Sequence, residues 1–404
     1  MVEIWLPYGS SEIPARIPEE RLVDILKPPT KENISDPAAA IRQAIQSNQS
    51  ILDAAKRAER ICVALGSSSN AKVASAATQT LVESLIAVGV SPSSITLLRT
   101  AGAPELDPAL LGKTKTVLHD PVTSPMASVA HTQCDFPLSL NSMFTDAGLK
   151  IVIGELKPHH FLGYSGLCDI VFPGLASLNS VRNHLANRKN MAVSDLHRER
   201  VEIARSHEDL FAFGFVLDSE QSPVKISLRS FQDCLEDLEK SVQTVCTRRV
   251  DQTADIVVMS AGGRPMDESL LSAVETFPAA IPALKREGVL IVAAECPLGH
   301  GNTEFHQWCA EHKEARYLEV RLRHNFNYQG FKAAFLLRTL ENHRIYFVST
   351  IPNHYVENVF GMRAAATVNS ALQTAQRSLG SSSKISVIPN ASRIILTRAE
   401  SDAK

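Results

Sequence analysis

The alternation of short apolar runs with segments of helical periodicity is the feature that most constrains how this chain can fold. Ile61–Leu65 and Ile95–Arg99 are apolar runs of strand length, and residues 71–88 between them have the periodicity of a helix. The same alternation restarts at residues 254–259. Strands that alternate with helices are typical of a parallel sheet covered by helices. The sequence therefore predicts an α/β fold with largely parallel sheets.

Other patterned segments extend this prediction over most of the chain. Further strands are predicted at residues 150–156, 211–217, 289–293 and 345–349, and a long amphipathic helix at 227–245. The charged stretch 247–252 lies between two strongly patterned regions and is the predicted linker, whereas 28–35 and 379–384 are predicted loops. We therefore expect two α/β domains, residues 1–248 and 249–404, that meet at a cleft.

The charge balance and the cysteine pattern limit the classes of partner and compartment. Lysine and arginine total 41 against 43 acidic residues, for a net charge of −2. Nucleic-acid binding needs clustered basic residues, so a small molecule is the expected partner. No apolar run has the roughly 18 residues that a membrane span needs, and no secretory signal follows Met1. Seven scattered cysteines without a CxxC pair favour a reducing compartment. We expect a cytoplasmic protein with no membrane partner, and the sequence leaves a homo-oligomer open.

The most informative stretch is residues 157–177, which read KPHHFLGYSGLCDIVFPGLAS. His159 and His160 follow a predicted strand directly, and His184 lies in the next predicted helix. Ligands of open α/β sheets bind beyond the carboxyl ends of strands, where this loop is expected. Imidazole binds transition metals and carries protons near neutral pH. The residue types alone leave open whether these are functional histidines or ordinary loop histidines.

Several segments in order give the chain a resemblance to the lactate racemase (LarA) family. The matching segments are Pro158-His159-His160-Phe161-Leu162-Gly163-Tyr164-Ser165-Gly166, Phe172-Pro173-Gly174-Leu175-Ala176-Ser177, Asn183-His184, Ala261-Gly262-Gly263-Arg264-Pro265-Met266-Asp267 and Leu298-Gly299-His300-Gly301. The histidine, glycine, serine and glycine core of the first segment, followed by Pro173-Gly174, is a specific signal.

The resemblance implies a two-domain enzyme of 2-hydroxy acids with its active site between the domains. It also implies a nickel-pincer nucleotide, a cofactor in which carbon and sulfur atoms of a pyridinium ring and one protein histidine hold nickel. His184 matches that histidine. His159 matches one of two histidines that act as acid and base on the substrate hydroxyl while the C2 hydrogen passes to the cofactor as hydride.

The glycine–serine motif and one aromatic residue complete the implied site. Gly163, Ser165 and Gly166 belong to the motif and are implied to bind the cofactor. Tyr328 matches an aromatic residue that lines the substrate cavity in the family, although a core tyrosine would look the same in the sequence.

The sequence departs from the family at positions that hold the cofactor. Asp169 stands where the family has the lysine that attaches the cofactor covalently, and an aspartate cannot make that linkage. Ser67, Ser68, Ser69 and Asn70 replace an expected Asp-His-Thr-Arg loop. In the same way residues 101–104 (AGAP) replace a segment with the second acid–base histidine, and Glu275 replaces a basic residue.

The replacement residues leave several alternatives open. The loop from Ser67 to Asn70 precedes a predicted helix, so it can bind a phosphate at the helix N-terminus or simply cap the helix. Arg264 can clamp a carboxylate or lie in solvent. His160 can replace the missing second base and His300 can project into the cleft, or both can be exposed loop histidines.

Two functions are consistent with this pattern. The first is a racemase or epimerase of a 2-hydroxy acid that binds the nickel-pincer nucleotide non-covalently, with His184 on the nickel and His159 and His160 as acid–base groups. In this case Arg264, His300 and Tyr328 are the expected substrate contacts. The alternative is a catalytically degenerate relative that binds a nucleotide, a metal or a hydroxy acid without racemising it.

Overall fold

The computed structural model describes residues 1–29, 32–107, 114–130, 136–188 and 192–398. The strands in these ranges are β1 (Val2–Tyr8), β2 (Ser11–Ile17), β3 (Leu22–Ile25), β4 (Ile61–Leu65), β5 (Ile95–Arg99), β6 (Lys115–Leu118), β7 (Met126–Val129), β8 (Leu138–Asn141), β9 (Leu149–His159), β10 (Gly163–Gly166), β11 (Ala186–Arg188), β12 (Leu210–Leu217), β13 (Pro223–Ser230), β14 (Thr247–Val250), β15 (Ala254–Ser260), β16 (Leu284–Ala293), β17 (Phe326–Asn327), β18 (Arg344–Val348), β19 (Arg363–Ala364), β20 (Ile385–Ile388) and β21 (Ile395–Arg398).

Helices alternate with these strands along the chain. The α-helices are α1 (Pro37–Gln46), α2 (Gln49–Arg57), α3 (Ala71–Ala87), α4 (Ser142–Thr145), α5 (Leu178–Leu185), α6 (Val193–Arg205), α7 (Phe231–Cys246), α8 (Leu270–Ala273), α9 (Thr303–Glu311), α10 (Ala315–His324), α11 (Tyr328–Asn342) and α12 (Val368–Leu379). Short 3₁₀ turns include Leu167–Asp169, Val274–Ala279 and Ala391–Arg393.

Two large sheets organise the fold. The first has the order β13-β12-β9-β4-β5-β6, with β10 paired to the end of β9, and its strands from β12 to β6 run parallel. The second has the order β19-β18-β16-β15-β20-β3 and is parallel throughout. Central strands such as β4 are buried along their whole length, as expected for a sheet covered on both faces. The predicted α/β fold with largely parallel sheets is confirmed.

The first strands of the chain pack with the second sheet: β3 is its edge strand, and β1 and β2 form a separate hairpin against it. β3 pairs with β20, and Ile4, Leu6 and Ile17 of the β1–β2 hairpin pack in one apolar cluster with Ile256 and other residues of β15 and β16. The N-terminal segment therefore folds onto elements that lie more than 200 residues later in the sequence. The division into residues 1–248 and 249–404 stays a prediction, and any division has to include this packing.

Two sequence predictions near the middle of the chain are wrong. Residues 227–230 were expected in a helix, but they form the end of β13, antiparallel to β12, and the helix begins only at Phe231, where Ser230 caps it. The predicted linker 247–252 lies partly in β14, because Thr247–Val250 pairs in parallel with β21. In both places backbone pairing with a distant strand decides the structure, and a local pattern does not contain that information.

The described cysteines behave as core residues. Cys62, Cys168, Cys234, Cys246, Cys296 and Cys309 are free and buried. Burial raises the pKa of the Cys62 and Cys234 thiols to about 12, so neither is a thiolate near neutral pH. Within the described ranges, no helix is both long and apolar enough to cross a membrane.

The first and last residues of β10, Gly163 and Gly166, provide a test of this local structure. Both have a left-handed φ, +85° at Gly163 and +99° at Gly166. A Cβ on Gly166 would collide with the backbone carbonyl of Glu155, whereas a Cβ on Gly163 would meet open space. We expect Gly163→Ala to lower the free energy of unfolding by about 1–2 kcal/mol through the backbone conformation alone. Gly166→Ala should cost at least about 3 kcal/mol, because the clash adds to the strain. Urea denaturation measures both, and equal effects would contradict the close approach of Gly166 to Glu155.

Candidate active site

The hairpin of β9 and β10 places His159 at the end of a central strand of the first sheet. Gly163 pairs with His159, so residues between them form the turn. The Nδ1 atom of His159 accepts the backbone N–H groups of Phe161 and Leu162 at 3.2 and 3.3 Å. Since Nδ1 accepts, the neutral ring carries its proton on Nε2. The turn therefore fixes both the position and the tautomer of His159.

Glu275 faces that Nε2 proton from the other half of the chain. The Oε2 atom of Glu275 lies 3.5 Å from Nε2 of His159. The other oxygen of Glu275 pairs with Nζ of Lys332 on α11, and Lys332 is buried beside Tyr328. Burial alone would raise the pKa of Glu275, but Lys332 and His159 lower it from 4.5 to about 2. His159 therefore lies at the end of a chain of three ionisable groups with Glu275 held as a carboxylate.

His160 differs from His159 in its partner and in its pKa. Its Nε2 atom lies 2.8 Å from the carbonyl oxygen of Ala391. A carbonyl oxygen only accepts, so Nε2 carries the proton and Nδ1 is left as an acceptor. Burial lowers the pKa of His160 to about 4. The ring is therefore neutral at pH 7 and offers Nδ1 as a proton acceptor.

A cavity of about 300 Å³ opens beside these two histidines. Its walls come from both halves of the sequence and include Lys157, His159, His160, Arg264, Glu275 and Arg393. Lys157 is half-buried, and it makes no ion pair with another described residue. Arg264 has a half-exposed side chain and lies 3.4 Å from Glu295. The cavity thus combines neutral imidazole with a cation, Lys157, that forms no close ion pair in the described chain and only helps to lower the pKa of Glu155.

A buried ion pair joins the two sheets at the floor of this cavity. Glu155, on β9, pairs with Arg393 in the turn after β20, and both side chains are almost fully buried. Arg393 also bonds Oγ of Ser69, and the N–H of Ser69 donates to Glu155 at 2.9 Å. Arg393 holds the pKa of Glu155 below its ordinary value although burial opposes this. The loop before α3 therefore already holds an anion, namely the carboxylate of Glu155.

Two other residues of the loop before α3, Ser68 and Asn70, cap the helix. The Oδ1 atom of Asn70 accepts the N–H of Val73, and Oγ of Ser68 accepts the N–H of Asn70. Ser67 instead lines a second cavity of about 430 Å³, with Lys157, Ser165, Gly166 and Asp169. Of the two predicted roles for the loop, the structure supplies the contacts of the helix cap.

Asp169 is engaged in an ion pair where the resembled family has its lysine. Its Oδ1 atom lies 3.1 Å from Nη1 of Arg200, and its Oδ2 atom accepts the N–H of Gly166 at 2.9 Å. Arg200 comes from α6 and is buried. The local function of Asp169 is therefore to close the turn after β10 and to neutralise a buried arginine.

His184 lies inside the protein rather than at a cavity wall. It is fully buried on α5, with its ring 4.8 Å from that of Phe172 and 5.6 Å from that of Phe136. Its Nε2 atom lies 3.3 Å from a carboxylate oxygen of Glu199. Within the described ranges there is no group of three or more histidine, cysteine or acidic side chains that could hold a metal ion.

These contacts test whether the residues fit a nickel-pincer nucleotide. The position of the covalent lysine holds Asp169, which Arg200 neutralises. The matching nickel histidine, His184, is enclosed by aromatic rings, and Glu155 occupies the N–H group of the loop that a phosphate would use. The residues present therefore do not fit this cofactor as it is attached in the resembled family.

Two of the predicted substrate contacts lie away from the 300 Å³ cavity. His300 contacts the carbonyl of Asn302 at 3.1 Å and packs against the ring of His306 at 4.9 Å. Tyr328 is buried, with its ring parallel to that of Phe331 and Nζ of Lys332 above it. Tyr328 contributes to the site through Lys332, whereas His300 is not among the residues that line the cavity.

Four residues of the site were not predicted from the sequence. Two of them still stand out in the sequence by residue type and position, whereas the other two do not. Lys157 directly precedes the histidine motif, and Glu155 is an isolated carboxylate in an otherwise apolar strand. Both are unusual enough to be noticed. Lys332 and Arg393 reach the site only through the packing of α11 and of the turn after β20, so no local pattern identifies them.

The Glu275–Lys332 pair predicts how the free energy of unfolding depends on pH. A carboxyl with a pKa of about 2 when folded and 4.5 when unfolded stabilises the fold by about 3 kcal/mol above pH 4.5, and the contribution is lost as the pH falls towards 2. Lys332→Met should remove most of this pH dependence and destabilise the protein at pH 7. Lys225→Met, which removes a more exposed ion pair to Asp237, is the matched control. Urea midpoints between pH 2.5 and 7 measure the effect; an unchanged acid profile in Lys332→Met would contradict the pairing.

Comparisons with known proteins place these features in one family. A lactate racemase N-terminal domain model matches residues 8–194, and a lactate racemase C-terminal domain model matches residues 250–396. A lactate racemase of Thermoanaerobacterium thermosaccharolyticum is 27% identical over 428 residues, covering 98% of this chain and 99% of that protein. A lactate racemase of Lactiplantibacillus plantarum is 27% identical over 277 residues, covering 64% and 63%.

Solved structures show the same fold. The lactate racemase apoprotein of T. thermosaccharolyticum superposes with a TM-score of 0.82 at 24% identity, covering 98% of this chain and all of that one. A Thermotoga maritima protein from a structural genomics consortium gives a TM-score of 0.63 at 13% identity, covering 91% of this chain and all of that one. Together the two domain models span most of the sequence, and the chain belongs to the lactate racemase family.

Proposed function

We propose that this protein is an isomerase that inverts the C2 centre of a small 2-hydroxy acid in the 300 Å³ cavity. The observation that carries the proposal is the position of His159 at the cavity wall, with Glu275 and Lys332 behind it. Membership of the lactate racemase family supports this class of reaction, and lactate is the substrate that the names of the relatives indicate.

Binding of the substrate carboxylate is assigned to Lys157 and Arg264. Lys157 forms no close ion pair in the described chain, and the contact of Arg264 with Glu295 is long and half-exposed, so a ligand can replace it. An arginine side chain can bind a carboxylate through two parallel hydrogen bonds. A carboxylate held there brings the hydroxyl of C2 towards the histidines of the same cavity.

The substrate hydroxyl is assigned to the two histidines. Nε2–H of His159 can donate to the hydroxyl oxygen in place of its long contact with Glu275 at 3.5 Å, and Nδ1 of His160 can accept the hydroxyl hydrogen. If the C2 hydrogen leaves as hydride, to an acceptor that the side chains of the cavity do not supply, the hydroxyl hydrogen has to leave as a proton, and Nδ1 of the neutral His160 ring is able to accept it. The backbone N–H groups of Phe161 and Leu162 keep the ring of His159 in one tautomer and one orientation during this exchange.

The contacts of Asp169 favour a second candidate function, binding of the acid without inversion. In the resembled family the nickel-pincer nucleotide supplies the group that accepts the C2 hydrogen, and the residues of this chain do not fit it as attached there. The Asp169–Arg200 and Glu155–Arg393 pairs leave the carboxylate site intact while they occupy the cofactor contacts. A carrier or sensor of hydroxy acids needs only the carboxylate site.

One experiment separates the two candidates. The full chain is produced in a host that makes the nickel-pincer nucleotide, and nickel content, near-ultraviolet absorption, and both the binding and the inversion of single enantiomers of 2-hydroxy acids are measured. Inversion supports the isomerase, whereas binding without inversion supports the second candidate. If the acids neither bind nor invert, both are wrong. In deuterated water, retained protium at C2 shows direct return of the same hydrogen, and incorporated deuterium shows removal as a proton.

His159 provides the sharpest variant for the isomerase. His159→Gln keeps the size and a hydrogen-bonding group but removes the acid–base group, so we expect kcat to fall by about 10²–10⁴-fold with a small change in KM. His312→Gln changes a half-buried histidine that stacks on Tyr317 and does not line the cavity; it is the matched control and should keep wild-type kcat. Chiral chromatography of the product measures both variants. Equal kcat values in the two variants would show that His159 has no catalytic role.

A further inference from the structure

We propose that Phe161 is a positioning residue, which holds the ring of His159 without touching the substrate itself. His159 lines the 300 Å³ cavity, and Phe161 is not among the described residues of its walls. Phe161 acts instead through its backbone N–H group and through α11, against which its ring packs. This inference rests on the proposed function, because it concerns the histidine that is assigned to the substrate hydroxyl.

The backbone donors of the β9–β10 turn bind the same ring that the turn has to hold. Backbone N–H groups of a turn need acceptors, and those of Phe161 and Leu162 both donate to Nδ1 of His159. Their lengths of 3.2 and 3.3 Å are at the long end of the normal range. A shift of about 0.5 Å would therefore break them. The turn and the ring can hold each other only if a contact from outside fixes the turn.

The aromatic residues of α11 supply that outside contact. The ring of Phe161 meets the rings of Phe331 and Phe335 edge to face, with centroid separations of 5.1 and 4.9 Å. Such edge-to-face pairs are attractive beyond the area that they bury. Leu162 is buried in an apolar cluster against which Phe331 also packs. Both residues whose N–H groups reach the imidazole are therefore anchored at the same helix.

The same helix also reaches the other nitrogen of His159. Lys332 lies on the face of α11 that carries Phe331 and Phe335, since residues three and four apart in a helix are neighbours. Lys332 pairs with Glu275, which faces Nε2 at 3.5 Å. Other residues of α11 are buried in the core of the second sheet. One well-packed helix therefore restrains both nitrogens of the ring.

The restraint matters because the Nε2–H group has to point at the substrate hydroxyl. A hydrogen bond weakens steeply as its angle departs from linear, so a ring that rotates no longer donates well. A misplacement of about 1 Å can cost about a hundredfold in rate. Phe161 has no contact with the substrate, so its loss should lower kcat and leave KM nearly unchanged.

The first test observes the ring itself, without substrate or cofactor. The chemical shift of Nδ1 of His159 and the hydrogen exchange of the N–H groups at positions 161 and 162 are measured by NMR on the full chain. We expect Phe161→Ala to move the Nδ1 resonance and to accelerate both exchange rates by at least about tenfold. Phe161→Leu keeps an apolar side chain in the contact and should restore most of the wild-type values.

Two further variants control this measurement. Phe335→Ala removes the same contact from the side of α11, should act in the same direction, and carries the test if Phe161→Ala does not fold. Phe211→Ala is the matched control, because Phe211 is also half-buried but pairs with Ile151 near the far end of β9. It should leave the resonance and both exchange rates unchanged. Thermal unfolding checks that each variant is folded.

Kinetics then separates positioning from a general loss of structure. Phe161→Ala should lower kcat about tenfold and change KM less than about twofold. In the His159→Gln background it should lower kcat no further, because its effect passes through that ring.

The outcomes distinguish this inference from the proposed function. Wild-type ring signals in Phe161→Ala, equal changes in Phe211→Ala, or a further loss of kcat in the His159→Gln background would overturn the inference and leave the proposed function standing. Altered ring signals in Phe161→Ala together with wild-type kcat in His159→Gln would support the positioning contact and overturn the proposed function.

Discussion

The buried ion pair between Glu155 and Arg393 is the contact on which the site depends. It joins β9 of the first sheet to the turn after β20 of the second sheet, and both charges are removed from water. Breaking such a pair is strongly destabilising, because one charge is left buried without compensation. The same turn supplies the carbonyl of Ala391 that fixes the tautomer of His160. The relative position of the histidines and the opposite wall of the cavity therefore follows from this pair.

Around that pair, each carboxylate of the site is paired with a cation from another element of the chain. Glu275 has Lys332, Asp169 has Arg200, and Glu155 has Arg393. The sequence shows only that basic residues expected in the family are missing at Ser67–Asn70, Asp169 and Glu275. The structure shows that each of these three carboxylates has a cation from a distant element instead. Lys157 is the half-buried cation without such a partner among the described residues, which is why it is assigned to the ligand.

The sequence predicted the fold well where information is local. The apolar runs of β4, β5 and β15 have strand length and are bounded by helices, so their periodicity identifies them. Residues 227–230 and 247–250 were misassigned because pairing with β12 and β21 decides their conformation. The site follows the same rule. His159, His160 and Arg264 stand in recognisable motifs, but their partners Glu275, Lys332 and Arg393 come together only through tertiary packing, which no spacing in the sequence contains.

A crystal structure of the full chain with a bound 2-hydroxy acid is the most direct test of these residue roles. We expect the carboxylate within hydrogen-bonding distance of Lys157 or Arg264, and the C2 hydroxyl next to Nδ1 of His160 and Nε2 of His159, with Glu155 and Arg393 still paired beneath it. An acid bound in the second cavity beside Asp169, or one whose hydroxyl contacts neither histidine, would contradict these roles.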